Sequence, residues 1–242
     1  FNAPRQIEAT YAGTKDDAKA RDGMVSVNWM IDPAADRTEA LSHGMLSYLL
    51  AGNSAAPLRK ALNESGLGEG MTGGGIGGGL RQPMASFGMK GIDPADGGKV
   101  EALILKTLEE IADTGFAPEQ LEAAANTFEF SLRENNTGSY PRGMMYMFNA
   151  LGTWLHEGDP IAPLAFEEAL SALKAKAGQG FFAKEIRRLF LDNMHRTTVS
   201  LQADPDQGAR EAAKEASILA DVRKGFDAKA LEETKAENER LK

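Results

Sequence analysis

The sequence contains three histidines, His43, His156 and His195, and they stand far apart. None has a second histidine or a suitably spaced carboxylate beside it in an HxxEH, HxxE or HxH frame, the spacings that set metal ligands on one face of a helix or strand. No local zinc site is therefore expected. His43 falls on an apolar helical stripe, where a satisfied, partly buried histidine is expected. His156, followed by Glu157 and Gly158-Asp159-Pro160, reads as a capping or surface residue at a helix end. His195 precedes the last strand and carries no signal. The absence of cysteine excludes disulfides, iron–sulfur clusters and thiol catalysis together, and names no compartment. A Ser-His-Asp triad can be assembled from residues distant in the chain, but no G-x-S-x-G elbow supports one here.

A second candidate is backbone chemistry. Nine of the fourteen residues from 66 to 79 are glycine. Gly73, Gly75 and Gly78 formally satisfy G-x-G-x-x-G, yet that fingerprint needs a strand before the glycines and a helix N-terminus after them to hold a pyrophosphate. Here a helical pattern precedes the run and an extended one follows, without the Lys-Ser or Lys-Thr of a P-loop. Two readings stay open: a mobile loop that allows a tight reversal, or bare N–H and C=O groups that a second chain can approach. On the second reading the peptide-contact candidates are Gly73, Gly74, Gly75, Gly77, Gly78 and Gly79, with Arg81 and Gln82 as hydrogen-bonding side chains. Pro83 suggests an edge strand, and extended peptides commonly bind by adding a strand to such an edge.

The elements that must position these residues follow from periodicity. Ile7, Ala9 and Tyr11, then Val25, Val27, Trp29 and Ile31, alternate on one face and predict two strands, neighbours in a sheet. Leu41, Met45, Leu46, Leu49 and Leu50 recur at three and four and predict a helix that Gly52-Asn53 ends. A short helix follows from Pro57, with Gly66 in the position of a left-handed cap. Residues 80–91 read as extended, with Arg81, Pro83, Ala85, Phe87 and Met89 on one face. Helical patterns start at Pro94, Pro118 and Pro141 and continue over 163–177 and 181–192, before a strand through Thr197, Val199 and Leu201. The block from Arg133 to Gly143 reads as an interhelical loop, and Asn135 opens an N-x-T sequon within it, meaningful only in a eukaryotic secretory setting. Strands and helices that segregate in this way imply an α+β fold, a mainly antiparallel sheet with helices packed on one face. The last thirty-nine residues carry ten acidic and eight basic side chains with sparse apolar positions, which predicts a C-terminal helical linker. The expected division is 1–203 for the α+β domain and 204–242 for the linker.

Composition narrows the partners. At 242 residues and 42% hydrophobic, the chain can leave only about 10,500 Å² of an unfolded surface near 37,500 Å² exposed, so disordered and collagen-like classes are excluded. The formal charge of −8 gives no electrostatic footprint for nucleic acid. No window approaches about 18 uncharged apolar residues, so a soluble chain without a membrane partner is expected. A start at Phe1 is expected of a processed chain or of a piece cut from a longer one.

Several separate blocks, in order, resemble the presequence-protease branch of the pitrilysin/insulinase metallopeptidases. They are Tyr48-Leu49-Leu50, the run from Ser54 to Leu62, Glu64-Ser65-Gly66-Leu67-Gly68, the strand from Leu80 to Gly91, the block from Arg133 to Gly143, and Trp154 with Gly158-Asp159-Pro160. The resemblance covers residues 1 to about 203, and the tail resembles the helical connection between the two halves of those enzymes. It implies four related α+β domains forming two bowls around a chamber, with zinc held in the first domain by HxxEH and a distal Glu. This sequence lacks that motif and looks like the second, non-catalytic domain, so no zinc ligand or catalytic Glu is carried over to any residue here. The implied function is a fragment of a zinc metalloendopeptidase that degrades short unstructured peptides. It would form a chamber wall with no cofactor of its own, zinc belonging to the intact parent. Its partners would be the peptide substrate, the N-terminal catalytic domain and the C-terminal half. The alternative is a catalytically silent homologue acting as a binding or assembly subunit.

Overall fold

A computed structural model describes residues 1–13, 21–34, 36–77, 80–134, 137–178 and 180–241. By contacts the chain divides into two compact units, Phe1–Ala9 with Ala20–Gln202, and Thr10–Lys19 with Ala203–Lys242. Five strands form one sheet: β1 (Arg5–Ala12), β2 (Gly23–Met30), β3 (Gly70–Gly77), β4 (Met84–Ile92) and β5 (Arg196–Asp204), in the order β1-β5-β2-β4-β3. β2 runs antiparallel to both β4 and β5, and β3 antiparallel to β4.

The period-two pattern in β2 becomes a two-faced strand. Val25, Val27 and Trp29 are buried, as are Ala85, Phe87 and Met89 of β4 opposite them. The intervening Ser26 and Asn28 are half-buried, and Asn28 Nδ2 donates to Ser26 Oγ and to the Thr197 carbonyl. Against the buried face pack α1 (Arg37–Ala51), α2 (Pro57–Glu64), α3 (Gly97–Thr114), α6 (Glu167–Ala177) and α7 (Phe181–Ile186), whose apolar residues join β2 and β4 in one core. Asp36 caps α1 by accepting from the Glu39 backbone N–H at 2.8 Å, which satisfies one of the unpaired donors of the first turn. α4 (Pro118–Glu134) and α5 (Arg142–Trp154) lie further out: Ala124 is the one buried residue of α4, and α5 has none. Among the described residues no helix is long and apolar enough to cross a membrane.

The end of α7 fixes how this helix meets the sheet. It continues into a π-helical turn, Arg187–Leu191, so its last carbonyls have no intrahelical donor. Trp29 Nε1 donates to the Phe190 carbonyl at 2.9 Å in the buried core. Asn193 Nδ2 donates to the carbonyls of Leu189 and Met30, at 3.1 and 2.9 Å. The rings of Trp29, Phe87 and Phe190 meet edge to face, with centroids 5.2 to 6.2 Å apart.

In the second unit, α8 (Gln207–Lys224) and α9 (Ala228–Arg240) contain no buried residue. Gly13 N–H donates to the Asp204 carbonyl, and Asp227 caps α9 through the Ala230 N–H.

Three sequence expectations change. β1 and β2 are not neighbours, because β5, remote in sequence, inserts between them. The glycine run is not a loop over 70–77 but strand β3, at the sheet edge. The extended segment begins at Met84 instead of Leu80, and β4 is internal, flanked by β2 and β3. Pro83 lies before the ladder, where a missing N–H costs nothing, and its carbonyl accepts from Ile31 N–H at 2.9 Å.

Close backbone approach sets a sharp test. A Cβ on Gly88 would lie 2.0 Å from the Val25 carbonyl oxygen in the neighbouring strand, whereas one on Gly98 in α3 would meet nothing within 4 Å. We predict that Gly88→Ala lowers unfolding free energy by about 3 kcal/mol or more, while Gly98→Ala leaves it unchanged or raises it by up to about 1 kcal/mol. Urea unfolding followed by far-UV circular dichroism measures both.

Candidate functional site

Strand β3 is an edge in which five of the eight residues are glycine. Its pairing with β4 slips between Thr72 and Gly75, and the slip uses glycine geometry. Gly73 and Gly75 have φ of +96° and +74°, the left-handed region that L side chains avoid. A Cβ on Gly73 would lie 2.4 Å from the Ser86 carbonyl oxygen, and one on Gly75 would lie 1.8 Å from Ser47 Oγ. Gly74 is exposed with nothing within 4 Å of its would-be Cβ, and the nearest atom at Gly77 is the Met84 carbonyl oxygen at 3.7 Å. The edge is therefore divided: Gly73 and Gly75 shape the bulge, while Gly70, Gly74 and Gly77 have room beside them. Two strand donors are occupied by helix side chains, Met71 N–H by Asn63 Oδ1 at 3.3 Å and Ile76 N–H by Ser47 Oγ at 3.1 Å.

Beside the end of this strand lies a cleft of about 390 Å³. Ile76, Leu80 and Pro83 supply apolar walls, and Arg81, His43 and His156 supply nitrogen donors or acceptors. An apolar cradle with a few convergent polar groups is the usual character of a small binding site. Of the sequence candidates, the structure brings Arg81 to this cleft together with the end of β3; Gln82 is not among its lining residues. Gly78 and Gly79 lie outside the described residues. The sequence reading missed Ile76, Leu80, His43 and His156 as neighbours, because the middle of α1, which carries His43, and the turn after α5, which carries His156, are remote from β3 in the chain.

His43 departs from its expectation more strongly. It is 4% exposed, and its Nε2 has no hydrogen-bond partner, so this histidine is buried but not satisfied. The nearest carboxylate oxygen, Glu39 Oε1, is 3.9 Å away, too far for a hydrogen bond. Burial lowers the His43 pKa first of all; Glu39 and Glu185 oppose that shift, and Arg188 adds to it. The imidazole is thereby held in its neutral form at neutral pH. Arg188 Nη2 donates at 2.6 Å to Glu39 Oε1 and at 2.6 Å to Glu185 Oε2, bridging α1 and α7. Glu39 and His43 are four residues apart and share a helix face, the only part of this group legible from spacing. Glu185 arrives from the far end of the sequence.

The sequence profile of the peptidase M16 inactive domain matches residues 4–128. The chain is 38% identical over 247 aligned residues to presequence protease 1, chloroplastic/mitochondrial, of Arabidopsis thaliana, covering 100% of this chain and 23% of that protein. It is 30% identical over 198 residues to the mitochondrial presequence protease of Xenopus tropicalis, covering 81% of this chain and 19% of that one. The chain thus spans less than a quarter of the length of these relatives. The crystal structure of a peptidase M16 inactive domain from Pseudomonas fluorescens superimposes with a TM-score of 0.54 at 14% identity, over 84% of this chain and 44% of that one. That likeness is one of fold.

The two kinds of glycine in β3 separate on mutation. Gly75→Val forces a side chain into Ser47 from a left-handed backbone and should cost about 2 kcal/mol or more of stability. Gly74→Val should stay within about 0.5 kcal/mol of the parent chain. Thermal unfolding of the two variants side by side checks the contrast, and equal losses would contradict the assigned bulge.

Proposed function

The chain belongs to the M16 peptidase family and matches its inactive domain, and from that premise we propose that it forms a non-catalytic wall of the substrate chamber of a zinc metalloendopeptidase acting on short unstructured peptides. One observation carries the reading: the match to the inactive domain falls on a sequence whose three histidines never form HxxEH. The catalytic zinc of such an enzyme has no ligand set of that kind in this chain, so the chemistry belongs to another domain.

Two features support a wall facing both peptide and neighbouring domains. The bare edge strand β3, with Arg81 and the adjoining cleft, offers backbone and a guanidinium to an extended peptide. α5, with no buried residue, presents Met147, Phe148 and Trp154 to solvent, Trp154 at 64% exposure, an apolar face that a neighbouring domain would cover. Residues 204–242, polar and without buried positions in α8 and α9, serve on this reading as the linker toward the second half. A catalytically silent homologue acting as an assembly subunit remains the competing reading, and an HxxEH motif in the preceding part of the same polypeptide would decide against it.

The isolated chain should not cleave a quenched extended peptide; EDTA-sensitive cleavage by the purified chain would end the proposal. In the parent enzyme, Gly74→Val combined with Gly77→Val should raise KM severalfold or reduce turnover while zinc content and melting temperature stay unchanged. Unaltered kinetics would remove β3 from the substrate path. Truncation at Asp204 should leave a cooperatively folded protein, because the tail's few apolar residues do not offset backbone ordering of about 1–2 kcal/mol per residue; loss of cooperative unfolding would make the tail part of the core.

A further inference from the structure

We infer that Glu39, His43 and Glu185 form a binding site for a divalent transition-metal ion, latched by Arg188. One ligand atom from each of the three residues lies within 4.8 Å of the others. Ligands held about 2.0–2.2 Å from a tetrahedral zinc ion lie roughly 3.4 Å apart, so closing the site takes about an ångström of side-chain movement. Glu39 and His43 stand one turn apart on α1, and Glu185 faces them from α7.

The independent pointer is the imidazole. His43 Nε2 is sealed from solvent and has no partner, although buried polar atoms are almost always paired. Arg188 bridges both carboxylates, but its donors go to the glutamates and leave His43 Nε2 without a partner. A metal ion meets both requirements together: it binds the orphaned imidazole nitrogen and the carboxylate oxygens beside it. Arg188 is 46% exposed and is free to swing outward when the ion enters, so it competes with metal for the same oxygens. One imidazole nitrogen and two carboxylate oxygens suit zinc, cobalt or manganese better than magnesium, which prefers an all-oxygen shell. His156 lines the neighbouring cleft with His43 but is not part of the trio.

Tag-free chain stripped with chelator, then titrated with ZnCl2 by calorimetry and with CoCl2 by visible absorption at pH 7.5, tests the site. One ion per chain is expected, with a ligand-field band for cobalt. Glu185→Gln and His43→Asn should each weaken zinc binding at least tenfold, Arg188→Met should tighten it, and His156→Asn should leave it unchanged. Magnesium should bind far more weakly than zinc. Circular dichroism of each variant confirms folding; if His43→Asn unfolds, Glu185→Gln and the exposed-site variant Arg188→Met still decide. Absence of stoichiometric binding in both the natural chain and Arg188→Met overturns the site, as does zinc binding that Glu185→Gln leaves intact or that His156→Asn abolishes. None of these readouts depends on the chamber-wall role, so the two proposals fail separately.

Discussion

The hydrogen bond from the Trp29 indole to the Phe190 carbonyl is the contact on which the rest of the arrangement hangs. It solves two problems at one point. A buried indole N–H needs an acceptor, and the last carbonyls of a helix need donors. An unmet partner on either side would cost about 1–3 kcal/mol. Because the carbonyl belongs to a π-helical turn, the bond fixes both the position and the rotation of α7 against β2, and Asn193 repeats the tie to Met30 one residue along. That rotation is what turns Glu185 and Arg188 toward Glu39 on α1. The charged group beside His43 is therefore a consequence of core packing, set up some distance from its own atoms.

The sheet makes a different use of its backbone. Gly88 lets β2 and β4 approach where no side chain fits, while Gly73 and Gly75 bend the edge strand around Ser86 and Ser47. In β3, Gly70 and Gly74 have open space beside them and Gly77 meets only an ordinary contact. A glycine-rich edge is flexible in the unfolded chain and carries a larger ordering cost on folding; here Ser47 and Asn63 offset part of it by holding strand donors from α1 and α2. The same bonds limit where an incoming peptide could pair, since those two N–H groups are already engaged. Gly74 lies between them and Gly77 lies beyond Ile76, which lines the cleft with Arg81.

The outer helices follow another logic. α1 is buried deeply enough to place His43 at 4% exposure, whereas α5 keeps Phe148 at 49%. Both carry apolar side chains, and what separates them is the core that α1 shares with β2 and β4, to which no residue of α5 belongs. An apolar helix left uncovered in a domain from a family of longer peptidases is consistent with a surface made for a neighbour.

Periodicity alone determined the elements that bury one face: Val25, Val27 and Trp29 on β2, the stripe of α1, and the α+β class, because a two-residue or 3.6-residue period shows in the sequence whatever its partner is. The blocks around Ser54–Leu62 and Arg133–Gly143 likewise led to the family without any coordinates. What the sequence could not settle was every relation between distant segments. β5 enters between β1 and β2, the glycine run becomes an edge strand because β4 offers it a ladder, and Pro83 misleads because its missing N–H falls just outside that ladder. His43 looked satisfied because it falls on an apolar helical stripe; its orphaned nitrogen shows only in the fold, where α7 brings Glu185 to it from 142 positions away in the numbering. Local pattern is a property of neighbours along the chain, but a binding site is made by neighbours in space, and only the tertiary fold chooses those.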